Sequence, residues 1–259
     1  MSSKENPGSD RYKFLRGTAM LVIWGGVDDK TTDEDDLNAW WTNEHLPERL
    51  AIPGFQRTRR FHALQNGQSQ YLVWYEVSSL DTLTSRAYMA ALNNPTPATK
   101  KFMPWLASMN RSACRVLFSD SRPEFAKSAG GGMGASIAHI VFQAPSSVEL
   151  REQLRSWIVE TVWPTLSHHH SPLALHLLEH DHEATQSGSS TKSYEEVRFQ
   201  TSKSKNQCRW MILIEFAEPV GAPFAKHRGL TENLVEQMEK FEMRDVETRF
   251  YGLICAMNE

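Results

Sequence analysis

The residues able to do chemistry gather in one span of the chain. Trp40-Trp41-Thr42-Asn43-Glu44-His45-Leu46-Pro47 sets one imidazole beside two indoles, the basic segment Arg57, Arg59, Arg60, His62 follows, and Trp74, Glu76 and Tyr88 come soon after. A histidine near neutrality moves protons, a guanidinium holds a carboxylate or enolate, and indoles exclude water and stack on aromatic rings. Together they describe acid/base work on a small aromatic molecule. His45, Arg60 and Glu76 are the catalytic candidates; Trp41, Arg59, His62, Trp74 and Tyr88 are the candidates for binding the substrate. Each has a plainer reading. His45 also suits a core position at a helix C-terminus, where the dipole favours it. Glu76 also suits an ion pair with an arginine, since Glu215 repeats it later in the chain. The company argues for function, because so many cations cannot be buried at one corner without polar or anionic partners.

Local pattern says how these residues are positioned. Asp33 to Asp36 offer an N-cap and acidic first-turn residues, and Leu37, Trp41 and His45 recur at i, i+4, i+8, so the imidazole rides the apolar stripe of a helix. Pro47 is expected to end that helix and leave His45 in its last turn. The apolar run Thr18–Val27 reads as a central strand. Gln56–Leu64 and Tyr71–Val77 read as a hairpin through Asn66-Gly67, 79–109 as helical with a break at Asn93-Asn94-Pro95, and Arg111–Phe118 as a closing strand. Strand parity places Leu72, Trp74 and Glu76 on one face, the more polar candidate for a cavity wall. It separates Thr58, Arg60 and His62 from Arg57, Arg59 and Phe61, which favours Arg60 and His62 as pocket residues; a register shift of one would substitute Arg59.

The order β-α-β-β-α-β then returns: Ser136–Phe142, Ser146–Leu166, Leu173–Leu178, Trp210–Phe216, Val220–Phe241 and Val246–Ile254. Trp163-Pro164 falls where Leu46-Pro47 fell, and Val162 stands in the place of His45. The expectation is an α+β chain of two fused ferredoxin-like β-α-β-β-α-β repeats that closes an intramolecular, pseudo-dimeric α/β barrel, with its cavity between sheet and helices. The divisions are a flexible arm at 1–17, a first domain at 18–119, a linker at 120–135 containing Gly130-Gly131-Gly132, and a second domain at 136–259 with a polar, disordered loop at 183–207. Only the first half keeps an ionisable ring at the shared position.

Composition narrows the function. A net charge of -3 over 259 residues gives no basic field for nucleic acid, and no apolar run approaches the ~20 residues that cross a bilayer. Three distant cysteines without a CxxC pair fit core positions in a reduced, cytoplasmic setting. The histidines at 168–170, 176, 180 and 182 lack acidic or cysteine ligands at metal-site spacing, so no metal is expected. There is no GxSxG and no GxGxxG after a strand, which disfavours hydrolase triads and dinucleotide cofactors.

Trp41-Thr42-Asn43-Glu44-His45-Leu46-Pro47, Pro53-Gly54-Phe55, Arg59-Arg60-Phe61, Tyr71-Leu72-Val73-Trp74-Tyr75-Glu76 and Ser85-Arg86-Ala87-Tyr88 resemble the EthD-like proteins of the dimeric α/β-barrel superfamily, over about residues 18 to 119. The resemblance implies a small aromatic, phenolic or polyketide-derived substrate in the barrel, handled by histidine without a cofactor, in secondary metabolism. Within that superfamily the reading is a decarboxylase, cyclase or isomerase. The alternatives are a cofactor-independent monooxygenase and a barrel that only binds a ligand. A homodimer of the fused chain stays open.

Overall fold

The computed structural model describes residues 15–27, 32–106, 108–126, 133–195, 197, 199, 208–222 and 225–259. Eight antiparallel strands close a barrel: β1 (Ala19–Gly26), β2 (Phe55–Gln65), β3 (Gln68–Val77), β4 (Ser108–Ser121), β5 (Ser136–Gln143), β6 (Pro172–Asp181), β7 (Arg209–Phe216) and β8 (Arg244–Asn258). Around the barrel they run β1-β3-β2-β8-β5-β7-β6-β4. Each half therefore contributes four neighbouring strands in the same relative order, and the halves meet where β2 pairs β8 and β4 pairs β6. Closure leaves the sheet no free edge.

The helices lie outside. In the first half α1 (Glu34–Trp40), a π-turn over Trp41–His45 and α2 (Leu46–Leu50) form one continuous rod, followed by α3 (Arg86–Asn93) and α4 (Pro97–Phe102). After β4 come α5 (Pro123–Ala126), then α6 (Val148–Trp157), a second π-turn over Ile158–Val162 and α7 (Trp163–Ser167). The second half continues with α8 (His182–Ser189) and α9 (His227–Met238).

Pro47 does not end its helix. Residue 47 has no N–H to give, so the turn before it widens: the Leu46 N–H reaches the Trp41 carbonyl, five residues back, and the rod runs on to Leu50. Pro164 does the same in the second half, which puts Val162 and His45 at the same place in equivalent turns. The proline makes the π-turn, and only the first half loads it with an imidazole.

Three other expectations change. The arm is tied down at its end, since Leu15 is buried and the Arg16 N–H donates to Glu76 Oε2 at 2.9 Å; residues 1–14 lie outside the described residues. The linker span begins as strand, because β4 continues to Ser121. The polar loop opens as a helix, α8, capped by the Asp181 carboxylate; 200–207 lie outside the described residues. Among the described residues no helix is long and apolar enough to cross a membrane.

Both faces of the sheet are buried. The inward face packs Met20, Val22, Trp24, Phe61, Leu72, Trp74, Ile137, Met211, Leu213 and Tyr251 in the barrel lumen. The outward face packs against the helices as one apolar cluster per half.

The lumen also holds a chain of charges. Arg57 donates from Nε to Glu76 Oε1 at 2.7 Å, Arg59 Nη1 lies 2.6 Å from Glu215 Oε2, and His176 Nε2 lies 3.2 Å from Glu215 Oε1. Burial opposes ionisation of Glu215, but Arg59, His176 and the Gly134 N–H outweigh it and hold the carboxyl at about 2. Nearby, burial and then Arg249 push His139 down to about 3. His139 is therefore neutral in the fold but titrates near 6.5 when unfolded. As pH falls below 6.5 the unfolded chain gains protons that the folded one refuses, so stability drops by about 1.4 kcal/mol per pH unit for this residue. Thermal midpoints between pH 7 and 4.5 should fall, and His139→Leu should flatten that slope by about one proton.

Candidate functional site

The sheet separates the predicted site residues into two sets. Alternation along β3 turns Leu72, Trp74 and Glu76 into the lumen and Val73 and Tyr75 toward the helices. Glu76 is therefore engaged with Arg57 and the Arg16 N–H, and Trp74 lies under the Arg59 guanidinium at 5.2 Å. Neither shares a compartment with His45. Glu76, expected as a catalytic residue, and Trp74 and Arg59, expected as substrate-binding residues, lie in the lumen on the other side of the sheet from His45.

On the helix side, Arg60 is buried over the Trp41 ring, but its Nη1 and Nη2 donate to Asn38 Oδ1 at 2.6 Å and Thr42 Oγ1 at 2.7 Å. It fastens α1 to the sheet instead of facing open space. His62 pairs with the Ser69 hydroxyl at 3.1 Å and lies beside Tyr71, away from the cavity. Tyr88 accepts from Arg111 Nη2 at 3.3 Å. Of the predicted residues, His45 and Trp41 line the cavity, and Tyr88 is buried against Phe55 and Arg111.

That cavity lies between the first half's sheet and helices and has a volume of about 10 Å³. Its walls are Ile23, Val73, Met103, Leu106 and Met109, with Trp41, His45, Tyr75 and Tyr194 supplying polar atoms. Most are buried apolar side chains, and the space has room for about one water molecule, so a small ligand would enter only as the walls move apart. His45 is 7 % exposed, its Nδ1 has no hydrogen-bond partner among the described residues, and Trp40 lies against it at 4.8 Å between ring centroids. Burial first, and then the Arg49 guanidinium, hold its pKa well below 6.5. The imidazole is neutral at physiological pH and free to accept. The Tyr75 hydroxyl and the Trp41 Nε1 are also buried and interact with each other, with no further hydrogen-bond partner among the described residues, and burial raises the Tyr75 phenol far above its usual value. With the indole N–H directed at the Tyr75 oxygen, the Tyr75 O–H is the donor left for a ligand oxygen.

The second half closes this pocket. Tyr194, Val197 and Phe199 come from the segment between β6 and β7, where they are the only large apolar residues from Glu183 to Gln207. That short aromatic and β-branched cluster within Ser/Thr/Lys-rich sequence was the available signal for Tyr194. Nothing comparable marked Tyr75, whose face depended on knowing which side of the sheet carries the helices.

Arg111 anchors the closure. Its Nη1 donates to the Thr185 carbonyl at 2.6 Å, and its guanidinium lies 5.8 Å from the Tyr194 ring. Gly188 on α8 packs directly on that guanidinium, and a Cβ there would collide with it. Since Arg111 is pinned at both ends, Gly188→Ala should cost about 1–3 kcal/mol and lift α8 off β4. Differential scanning calorimetry should show the loss, and Gly188→Ala combined with Arg111→Met should recover part of it.

Among the described residues no group of three or more His, Cys, Asp or Glu is placed to hold a metal ion.

No family model matches the sequence, and no curated protein matches it. Solved structures do. A "putative monooxygenase" from Fusobacterium nucleatum is 9 % identical with a TM-score of 0.55, over 95 % of this chain and 96 % of that one. An anthrone oxidase-like protein is 9 % identical with a TM-score of 0.57, over 95 % of each chain. A "putative monooxygenase" from Lactobacillus acidophilus is 7 % identical with a TM-score of 0.52, over 93 % of this chain and 96 % of that one. At such identities the likeness is one of fold: a whole-chain α+β barrel.

Proposed function

We propose that the chain is an oxygenase of small, electron-rich phenols or anthrone-like compounds, working in the His45 cavity with the substrate itself supplying the electrons. The observation that carries this reading is a buried, neutral imidazole beside the Trp41 indole and the Tyr75 phenol in an otherwise apolar space. His45 takes a proton from the substrate, and the Tyr75 hydroxyl, itself held by the Trp41 N–H, stabilises the anion that results. The anion passes an electron to dioxygen. Recombination gives a hydroperoxide, and loss of water leaves a carbonyl, so a CH2 and O2 become C=O and H2O. A water-free cavity protects the anion from reprotonation.

The names of the similar barrels support oxygenation over the decarboxylase, cyclase or isomerase chemistry that the same base could serve. The repeated strand order and the twin π-turns support two fused ferredoxin-like units, at 18–119 and 136–259, with the second lending its inserted segment to the first unit's pocket. The EthD-like motif in the first unit fits the same picture. The test is oxygen uptake during turnover of anthrones and hydroxynaphthalenes. One O2 consumed per carbonyl formed is expected; turnover unchanged without oxygen would replace this reading with acid/base chemistry.

A further inference from the structure

A second cavity, of about 430 Å³, lies outside the His45 space and shares a wall with it. Both halves of the chain line it: Lys100 from α4, Met103 and Pro104 just beyond that helix, and Lys192, Ser193 and Glu195 from the segment between β6 and β7. Met103 borders both cavities, and Ser193 and Glu195 flank Tyr194, which borders the inner one. The frame around Met103 is fixed. Thr96, the N-cap of α4, donates to Glu44 Oε1 at 2.8 Å in the π-turn that carries His45. Phe102 stacks on Trp40 at 5.1 Å between ring centroids, and the Ser193 hydroxyl donates to the Leu92 carbonyl at 2.7 Å. Met103 itself is held by apolar packing, and an unbranched thioether changes rotamer at small cost.

Size assigns the roles. The inner space takes about one water, whereas the outer one falls within the ~300–1,000 Å³ of small-ligand pockets. Its charged groups are two ammoniums, Lys100 and Lys192, against one carboxylate, Glu195, a surplus of one positive charge. We infer that the outer pocket is the substrate-binding site, that Met103 is the movable partition through which the reacting ring reaches His45, and that the substrate is an aromatic molecule of two or more rings whose far end carries a single negative charge on oxygen, as a carboxylate does. The inference rests on the reading of His45 as the base. It also gives the inserted segment a second task, since beyond closing the inner space with Tyr194 it places Lys192 where the far end of the substrate is received.

The experiment uses the full chain and two probes, 6-hydroxy-2-naphthoate and 2-naphthol, which differ by the remote carboxylate. In calorimetric titration wild type should bind the naphthoate about tenfold more tightly, and Lys100→Met with Lys192→Met, both at exposed positions, should remove most of that preference. The partition is read with diethylpyrocarbonate, which acylates neutral imidazoles, the His45 peptide being followed by mass spectrometry. Met103→Ala should speed acylation of His45 about tenfold, Met103→Phe should slow it, and saturating 6-hydroxy-2-naphthoate should protect His45 in wild type. Unchanged rates at the exposed His168 and His169 report an intact fold. Failure of both probes to bind, equal binding of the two by wild type, an unchanged preference in the double lysine variant, or acylation of His45 indifferent to residue 103 overturns the inference. Absence of oxygen uptake with all of these results as expected overturns the oxygenase reading alone.

Discussion

His45→Gln should lower turnover by about 10²–10⁴-fold, the range that loss of a positioned general base produces, while thermal stability changes little. Glutamine keeps much of the bulk in the π-turn over Trp41–His45 but accepts no proton. The pH profile provides a second signature. Because burial and Arg49 hold the imidazole below its usual range, the base form persists as pH falls, and the acidic limb of the wild-type profile should lie below 6.5. Arg60→Met should behave oppositely. Its guanidinium is occupied by Asn38 and Thr42, so it should lower the thermal midpoint and leave the catalytic limb in place. Steady-state kinetics on an oxidisable phenol, run across pH for both variants, checks the pair; equal rate losses in both would show that they share one site after all.

Glu215→Leu should be the most damaging single change to stability. Glu215 is fully buried, takes the Arg59 guanidinium at 2.6 Å and His176 at 3.2 Å, and accepts the Gly134 N–H at 2.9 Å. Removing one member of a buried ion-pair network costs about 3–5 kcal/mol, because the remaining charge keeps its desolvation penalty and loses its compensation. Here the cost has a topological side. Arg59 belongs to β2 in the first half and Glu215 to β7 in the second, so the network ties the halves together through the lumen. Urea unfolding should show the free energy of unfolding falling by that amount. A loss under about 1 kcal/mol would mean that the barrel closes on its strand pairings alone.

The eight strands were legible because each is a short run of apolar and β-branched residues between turn signals, and the repeat was legible because Trp163-Pro164 echoes Leu46-Pro47. What could not be read was which sheet face meets the helices. In a closed barrel both faces are buried, so alternation sorts residues into two sets without saying which set borders the cavity. Parity alone therefore groups Glu76 and Trp74 with His45 and leaves Tyr75, one position away from each, unmarked. Pro47 misled for a related reason: its missing N–H ends a regular helix but can instead be absorbed by a widened turn. Arg49 lay hidden in plain view, since a lone arginine after Pro-Glu gives no sign of burial. Tyr194 reaches the cavity from the other half of the chain, a contact that no local pattern encodes.

The most direct measurement is a crystal structure of the protein soaked with an anthrone or hydroxynaphthalene under anaerobic conditions. The ligand should lie between β3 and the helices, its oxygen within hydrogen-bond reach of His45 or Tyr75 and its ring between Trp41 and Met103. A ligand seated in the lumen against Trp74 and His176, or on the outer surface with the His45 cavity unchanged, would contradict the account.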